Sequence, residues 1–93
     1  MLNEIIDYTK LPTLDLHNEI KDVSKILIKE FILENYKLKN YNLVIIHGKS
    51  SNILKKTTLE ELKNNILVFE YKICFFNDGI TLVKLKENYE NKR

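Results

Sequence analysis

The chain has 93 residues, 44% of them hydrophobic and 30% charged, which suits one small domain with a single core and leaves no room for a second. Its longest apolar runs, Leu43 to Ile46 and Ile66 to Phe69, fall far short of the roughly 20 residues of a membrane span. The first ten residues alternate apolar with charged side chains, unlike a signal peptide, so a cytoplasmic protein without membrane attachment is expected.

Residues 1–12 lack a sustained period, and Pro12 pushes Leu11 towards an extended conformation, so they read as an N-terminal arm. The first strand is predicted over Thr13 to His17, where alternation sets Asp15 and His17 on one face and Leu14 and Leu16 on the other. From about Ile20 to Tyr36 a helix is predicted, with Ile20, Val23, Leu27 and Phe31, flanked by Ile28 and Ile32, as its apolar face. Its lysines read as a solvated face. Lys37 to Asn42 forms the return, with two asparagines to serve the turn.

Leu43 to Ile46 carries no polar residue and reads as a central strand of a mostly parallel sheet. The small polar loop His47-Gly48-Lys49-Ser50-Ser51-Asn52 then leads into a second helix over about Ile53 to Asn65, with Ser51 and Asn52 as N-cap candidates. A third strand, about Leu67 to Phe75, alternates Phe69, Tyr71, Ile73 and Phe75 against Val68, Glu70, Lys72 and Cys74. As the chain's lone cysteine, Cys74 excludes an internal disulfide and reads as a small buried hydrophobe. Asn77-Asp78-Gly79 signals a hairpin in which Gly79 takes positive φ, and a fourth strand follows over Ile80 to Leu85. The order is β-α-β-α-β-β. The last eight residues form a polar tail.

Net charge is +2 over the whole chain, with residues 1–20 at −3, residues 46–65 at +2 and residues 84–93 at +2. Positive charge therefore gathers just after His47 and at the C-terminus. Both histidines close strand-like runs that lead into helices; on neighbouring parallel strands, both imidazoles would emerge at the sheet edge where open α/β sheets bind ligands.

Asp15 and His17 share a strand face, where the carboxylate can fix the imidazole tautomer and raise its basicity. That pattern suits acid–base work on a phosphodiester, or else a structural pair that caps the next helix. Gly48 would turn the chain with its amide exposed, and amides at a helix N-terminus beside Lys49 and Lys55 make an anion site; alternatively His47 only closes its strand by hydrogen-bonding a neighbouring loop. The residues lack the Cys/His spacing of a structural zinc site, so no metal ligands are assigned, although a divalent ion at Asp15, His17 and His47 stays open. Phe69, Tyr71, Phe75 and Phe76 suit base stacking, but aromatics alternating on a strand are usually core.

Three segments together resemble the Smr (small MutS-related) domain family. Leu14-Asp15-Leu16-His17 matches the family's LDLHG, Ile45-Ile46-His47-Gly48-Lys49 its IIHGKG, and Gly79-Ile80-Thr81-Leu82-Val83 its closing GATVV-like strand. The resemblance covers about residues 13–85. It implies an α/β two-layer fold similar to the C-terminal domain of translation initiation factor 3. Such a fold has a four-stranded mixed sheet with both helices on one face; strands one to three are parallel, and strand four lies antiparallel between strands two and three.

It also implies a nucleic-acid-binding domain, with endonuclease action on RNA or DNA and, for some members, on messenger RNA at stalled ribosomes. On that reading Asp15, His17 and His47 are the catalytic residues, and Gly48, Lys49, Ser50, Ser51, Asn52 and Lys55 hold the phosphate. The alternatives are a non-cleaving nucleic-acid or ribosome-binding module, or a protein–protein adaptor. Family glycines are replaced by Asn18, Ser50 and Asn52, and an arginine by Lys55. Asparagine tolerates left-handed backbone, whereas Ser50 adds a Cβ where a phosphate approaches, and Lys55 keeps charge without the bidentate fork.

Overall fold

A computed structural model describes residues 10–50 and 52–89. Most of the N-terminal arm, the end of the C-terminal tail and Ser51 lie outside the described residues. The elements are β1 (Thr13–Asp15), α1 (Lys21–Lys37), β2 (Asn42–Ile46), α2 (Asn52–Lys63), β3 (Val68–Ile73) and β4 (Ile80–Leu85).

The sheet order is β1-β2-β4-β3, with β1 parallel to β2 and β4 antiparallel to both β2 and β3. Both crossovers step across the sheet in the same direction, so the right-handed rule for parallel connections puts α1 and α2 on one face. That is the two-layer arrangement the resemblance implied. Beneath the helices lies the main core, with Leu16, Ile28, Ile32, Leu43, Ile45, Leu54, Leu62, Val83 and Leu85. A second cluster, Val44, Cys74, Ile80 and Leu82 with Leu11 and Ile46, occupies the opposite face.

Three local expectations are corrected. The first concerns α1, which buries Ser24, Ile28, Ile32, Asn35 and Tyr36, while Ile20 and Val23 are exposed and Leu27 and Phe31 only partly buried. The helix has more apolar positions than one stripe uses, and periodicity alone does not choose between adjacent stripes.

Next, the turn after α1 takes its left-handed residue from Lys39 (φ 64), not from an asparagine. Lys39 N–H donates to the Tyr36 carbonyl and Asn40 N–H to the Asn35 carbonyl, the bond pair of a Schellman C-cap. Of the two asparagines of the return, Asn40 serves the turn by its side chain, Nδ2 donating to Oδ1 of Asn35 in α1 at 3.0 Å, while Asn42 opens β2.

The third correction is in β3, where Val68 faces Leu85 but Glu70 already faces Lys84. Phe69 is therefore an extra residue in a bulge, which breaks the alternation. Val68 and Tyr71 both pack on the core, and Phe69 is thrown outward.

Candidate functional site

β1 and β2 run parallel with Asp15 opposite Ile46, so His17 and His47 do leave the sheet at one edge. Their side chains part there. Asp15 shares its pleat with Ile46, which packs in the cluster away from the helices. His47 follows Ile45, whose side chain lies in the helix-covered core, and alternation keeps it on that side.

The His47 residue is 1% exposed. Its Nε2 lies 2.8 Å from Thr81 Oγ1 and its Nδ1 3.3 Å from the Gly48 carbonyl. A carbonyl only accepts, so Nδ1 carries the proton and Nε2 accepts from the Thr81 hydroxyl. Burial pushes the imidazole below its ordinary pKa of 6.5; Lys55 adds to that effect, while the Gly48 carbonyl and Asp78 oppose it. His47 is thus a neutral, sealed ring at pH 7. The expectation of two imidazoles side by side on an open rim, with His47 in direct catalytic contact, is corrected: His47 ties β2 to β4, close to the alternative in which it bonds a neighbouring loop.

Gly48 has φ +89, a backbone that favours glycine. Its amide, expected to be exposed, donates to the Gly79 carbonyl at 3.0 Å, as does His47 N–H at 2.9 Å. Gly79 is not among the positive-φ glycines. It must be small for another reason: a Cβ there would stand 2.9 Å from Gly48 C and from Lys49 N. The hairpin signal thus pointed to the right residue for the wrong cause, and the β3–β4 loop is clamped directly onto the loop after β2.

Outside that clamp the rim is polar and basic. Lys49 and Ser50 are exposed, Asn52 opens α2, and Lys55 lies one turn further on. Asn52 is helical, so it does not replace a family glycine in left-handed backbone and is not the N-cap; the other N-cap candidate, Ser51, lies outside the described residues. Lys56, not singled out from the sequence, adds an exposed cation beside Lys55.

Asp15 and His17 are both exposed, with β1 ending at Asp15. The carboxylate accepts the His17 backbone N–H at 2.9 Å, forming an Asx turn, and Asn18 takes φ 70 as expected of a glycine replacement. Asp15 therefore shapes the turn rather than bonding the ring. Nor does the pair cap the next helix, since the α1 N-cap is Ile20, with no side-chain cap bond. Among the described residues no group of three or more His, Cys, Asp and Glu is placed to hold a metal, so a centre of Asp15, His17 and His47 is not assembled.

Sequence reasoning also missed Thr81, the buried partner of His47, and the exposure of Phe75 and Phe76 beyond the end of β3. The run of two phenylalanines directly before Asn77-Asp78-Gly79 was the available signal, because a residue at a turn loses the burial that strand alternation promises. No helix among the described residues is long and apolar enough to cross a membrane.

No curated protein matches the chain by sequence. Its fold is similar to the Smr domain of Thermus thermophilus MutS2, with a TM-score of 0.78 and 20% identity over 82% of this chain and 99% of that one. It is similar also to YdaL, a stand-alone small MutS-related protein from Escherichia coli, with a TM-score of 0.78 and 22% identity over 84% of this chain and 66% of that one. Identities this low speak to fold alone. The Smr domain family profile, however, matches residues 14–86, most of the chain and all three motifs, and the chain therefore belongs to the Smr domain family.

Proposed function

We propose that this domain binds nucleic acid by its phosphates at the edge where β1 and β2 end. The observation that carries the reading is the clamp between Gly79 and the His47–Lys49 loop. It holds exposed Lys49 and Ser50 at the start of α2, with Lys55 one turn on, and so presents cations, a hydroxyl and a helix N-terminus to one anionic group. Ser51 and Asn52 complete the polar loop in sequence. His47 contributes indirectly, by fixing the backbone that carries Lys49.

Cleavage is proposed for His17, whose exposed ring makes no hydrogen bond among the described residues and is free to take a proton from an attacking hydroxyl. Asp15 positions it through the backbone turn. The burial of His47 favours a second reading, a module that binds without cutting, because the edge then offers only one imidazole for a reaction that must both remove and supply a proton.

The test is incubation of the purified protein with single-stranded RNA and with plasmid, with and without chelator, beside His17→Ala. Cleavage that falls at least about 100-fold in His17→Ala, the usual worth of one acid–base group, supports the nuclease. Full-rate cleavage by His17→Ala removes His17 from the chemistry, and binding without cleavage by the parent protein leaves the module.

A further inference from the structure

Beyond the end of β3 the chain exposes two aromatic rings in succession, Phe75 at 80% and Phe76 at 59%. They pack edge to face, with centroids 5.1 Å apart and planes at 89°. The loop that carries them is held by its own bonds. Cys74 O accepts Asn77 N–H at 3.2 Å and Asn77 O accepts Ile80 N–H at 3.1 Å, while Asn77 Oδ1 accepts Gly79 N–H at 3.0 Å. The rings therefore take the two central positions of the Cys74–Asn77 turn, and a second turn, Asn77–Ile80, ties it to β4.

Through Gly79 the same loop is seated on Gly48 and Lys49. β3 lies two strand positions from β2, a lateral separation of roughly 10 Å, so the aromatic pair and the lysines share one end of the sheet. Lys49, Lys56 and Lys72 are exposed and Lys55 is partly so; against them stand the exposed acids Asp78 in the aromatic loop and, across the sheet at the end of β1, Asp15 and Glu19. A predominantly apolar protein partner gains little from that surround of cations. A nucleic-acid duplex supplies phosphates but hides the faces of its bases, whereas a single strand offers both phosphates and unstacked bases.

We propose that Phe75, buttressed by Phe76, is a stacking platform for a base of a single-stranded nucleic acid whose backbone crosses Lys49 and Lys55. The platform rests on the phosphate-binding reading above and assigns that site its substrate class. It selects single strands by a π-face, so it is tolerant of base identity.

The experiment measures binding by fluorescence anisotropy for a labelled 12-nucleotide single-stranded RNA, the same strand in DNA, its duplex, and a strand with abasic positions. The proteins are the parent, Phe75→Ala, Phe75→Trp and Lys49→Gln. The parent should prefer single strand to duplex and intact strand to abasic. Phe75→Ala should weaken single-strand binding by about 5- to 150-fold, the range for one lost base–aromatic stack, and abolish the intact-over-abasic preference while keeping the salt slope. The chain has no tryptophan, so Phe75→Trp places a single reporter whose emission should be quenched on binding, with affinity retained.

RNA and DNA arms differing in affinity would tell which strand is preferred. If Phe75→Ala binds like the parent and still prefers intact to abasic strand while Lys49→Gln is weakened, the platform is overturned and the phosphate site stands. A parent protein that binds none of the four probes at low salt removes the phosphate site and the platform together.

Discussion

A buried neutral histidine is a pH-dependent tie. His47 is sealed against Thr81, and burial holds its pKa below 6.5. On acidification the unfolded chain therefore takes up this proton first. Stability falls as pH drops through 6.5 and stops falling on this account once the folded-state value is passed. Urea midpoints at pH 7.5 and 5.5 should show a larger acid loss for the parent than for His47→Asn, which lacks the ring but shares every carboxylate. An equal or larger loss in the variant would contradict the assignment.

The two glycines of the clamp are required for different reasons. Gly79→Ala forces a Cβ against the backbone of Gly48 and Lys49, a clash that cannot be relieved by a flexible side chain, and should cost about 1–3 kcal/mol in chemical denaturation. Gly48→Asn should cost less, because nothing lies within 4 Å of its Cβ position and asparagine enters positive φ more readily than other side chains. Both glycines, like both histidines, stood out in the sequence as motif residues. What could not be read there was which atoms they face. An all-apolar strand gave no mark of which face His47 would take or that Thr81 would bond its ring, and Asp-Gly looked like a turn when the constraint came from another loop.

The elements were legible to within a residue or two wherever a period was strong, as for β4 and both helices. They were less so where the apolar pattern was redundant or interrupted. In α1 neighbouring stripes compete, and the one that packs contains Ser24 and Asn35, which composition would place outside. The bulge at Phe69 has no sequence mark that distinguishes it from regular alternation.

Two substitutions test the element-level account. Ser24 Oγ and Thr58 Oγ1 are buried with no hydrogen-bond partner among the described residues. Thr58→Val keeps the shape and removes the unpaired hydroxyl, so it should be stabilising by up to about 1 kcal/mol; a loss above that size would show that the hydroxyl is bonded. Lys39→Gly relieves the left-handed C-cap at φ 64 and should raise the urea midpoint by an amount equivalent to about 1 kcal/mol. An unchanged or lower midpoint would mean that the long side chain of Lys39 compensates.

At the scale of the molecule, chain direction and strand order bring into one place residues that are far apart in sequence. Parallel β1 and β2 end together, and β4 begins there between β2 and β3. Three loops thus meet at one edge, each contributing a different chemistry: an exposed imidazole from His17, a cation from Lys49 with Lys55 of α2 behind it, and aromatic rings from Phe75 and Phe76. The order of elements followed from the residue pattern alone. Strand order did not, because the insertion of β4 between β2 and β3 leaves no local signature; it came from the motif resemblance. The basic segment after β2 was visible as a charge count, but its role depends on the clamp that holds it.

The most direct test of the phosphate-binding edge is the salt dependence of affinity for a single-stranded RNA of 12 nucleotides, measured for the parent and for the Lys49→Gln/Lys55→Gln double variant. The logarithm of the association constant should fall linearly with the logarithm of salt concentration, and removing two phosphate contacts should make that slope shallower by about 1.4. An identical affinity and slope in the two proteins would contradict the account.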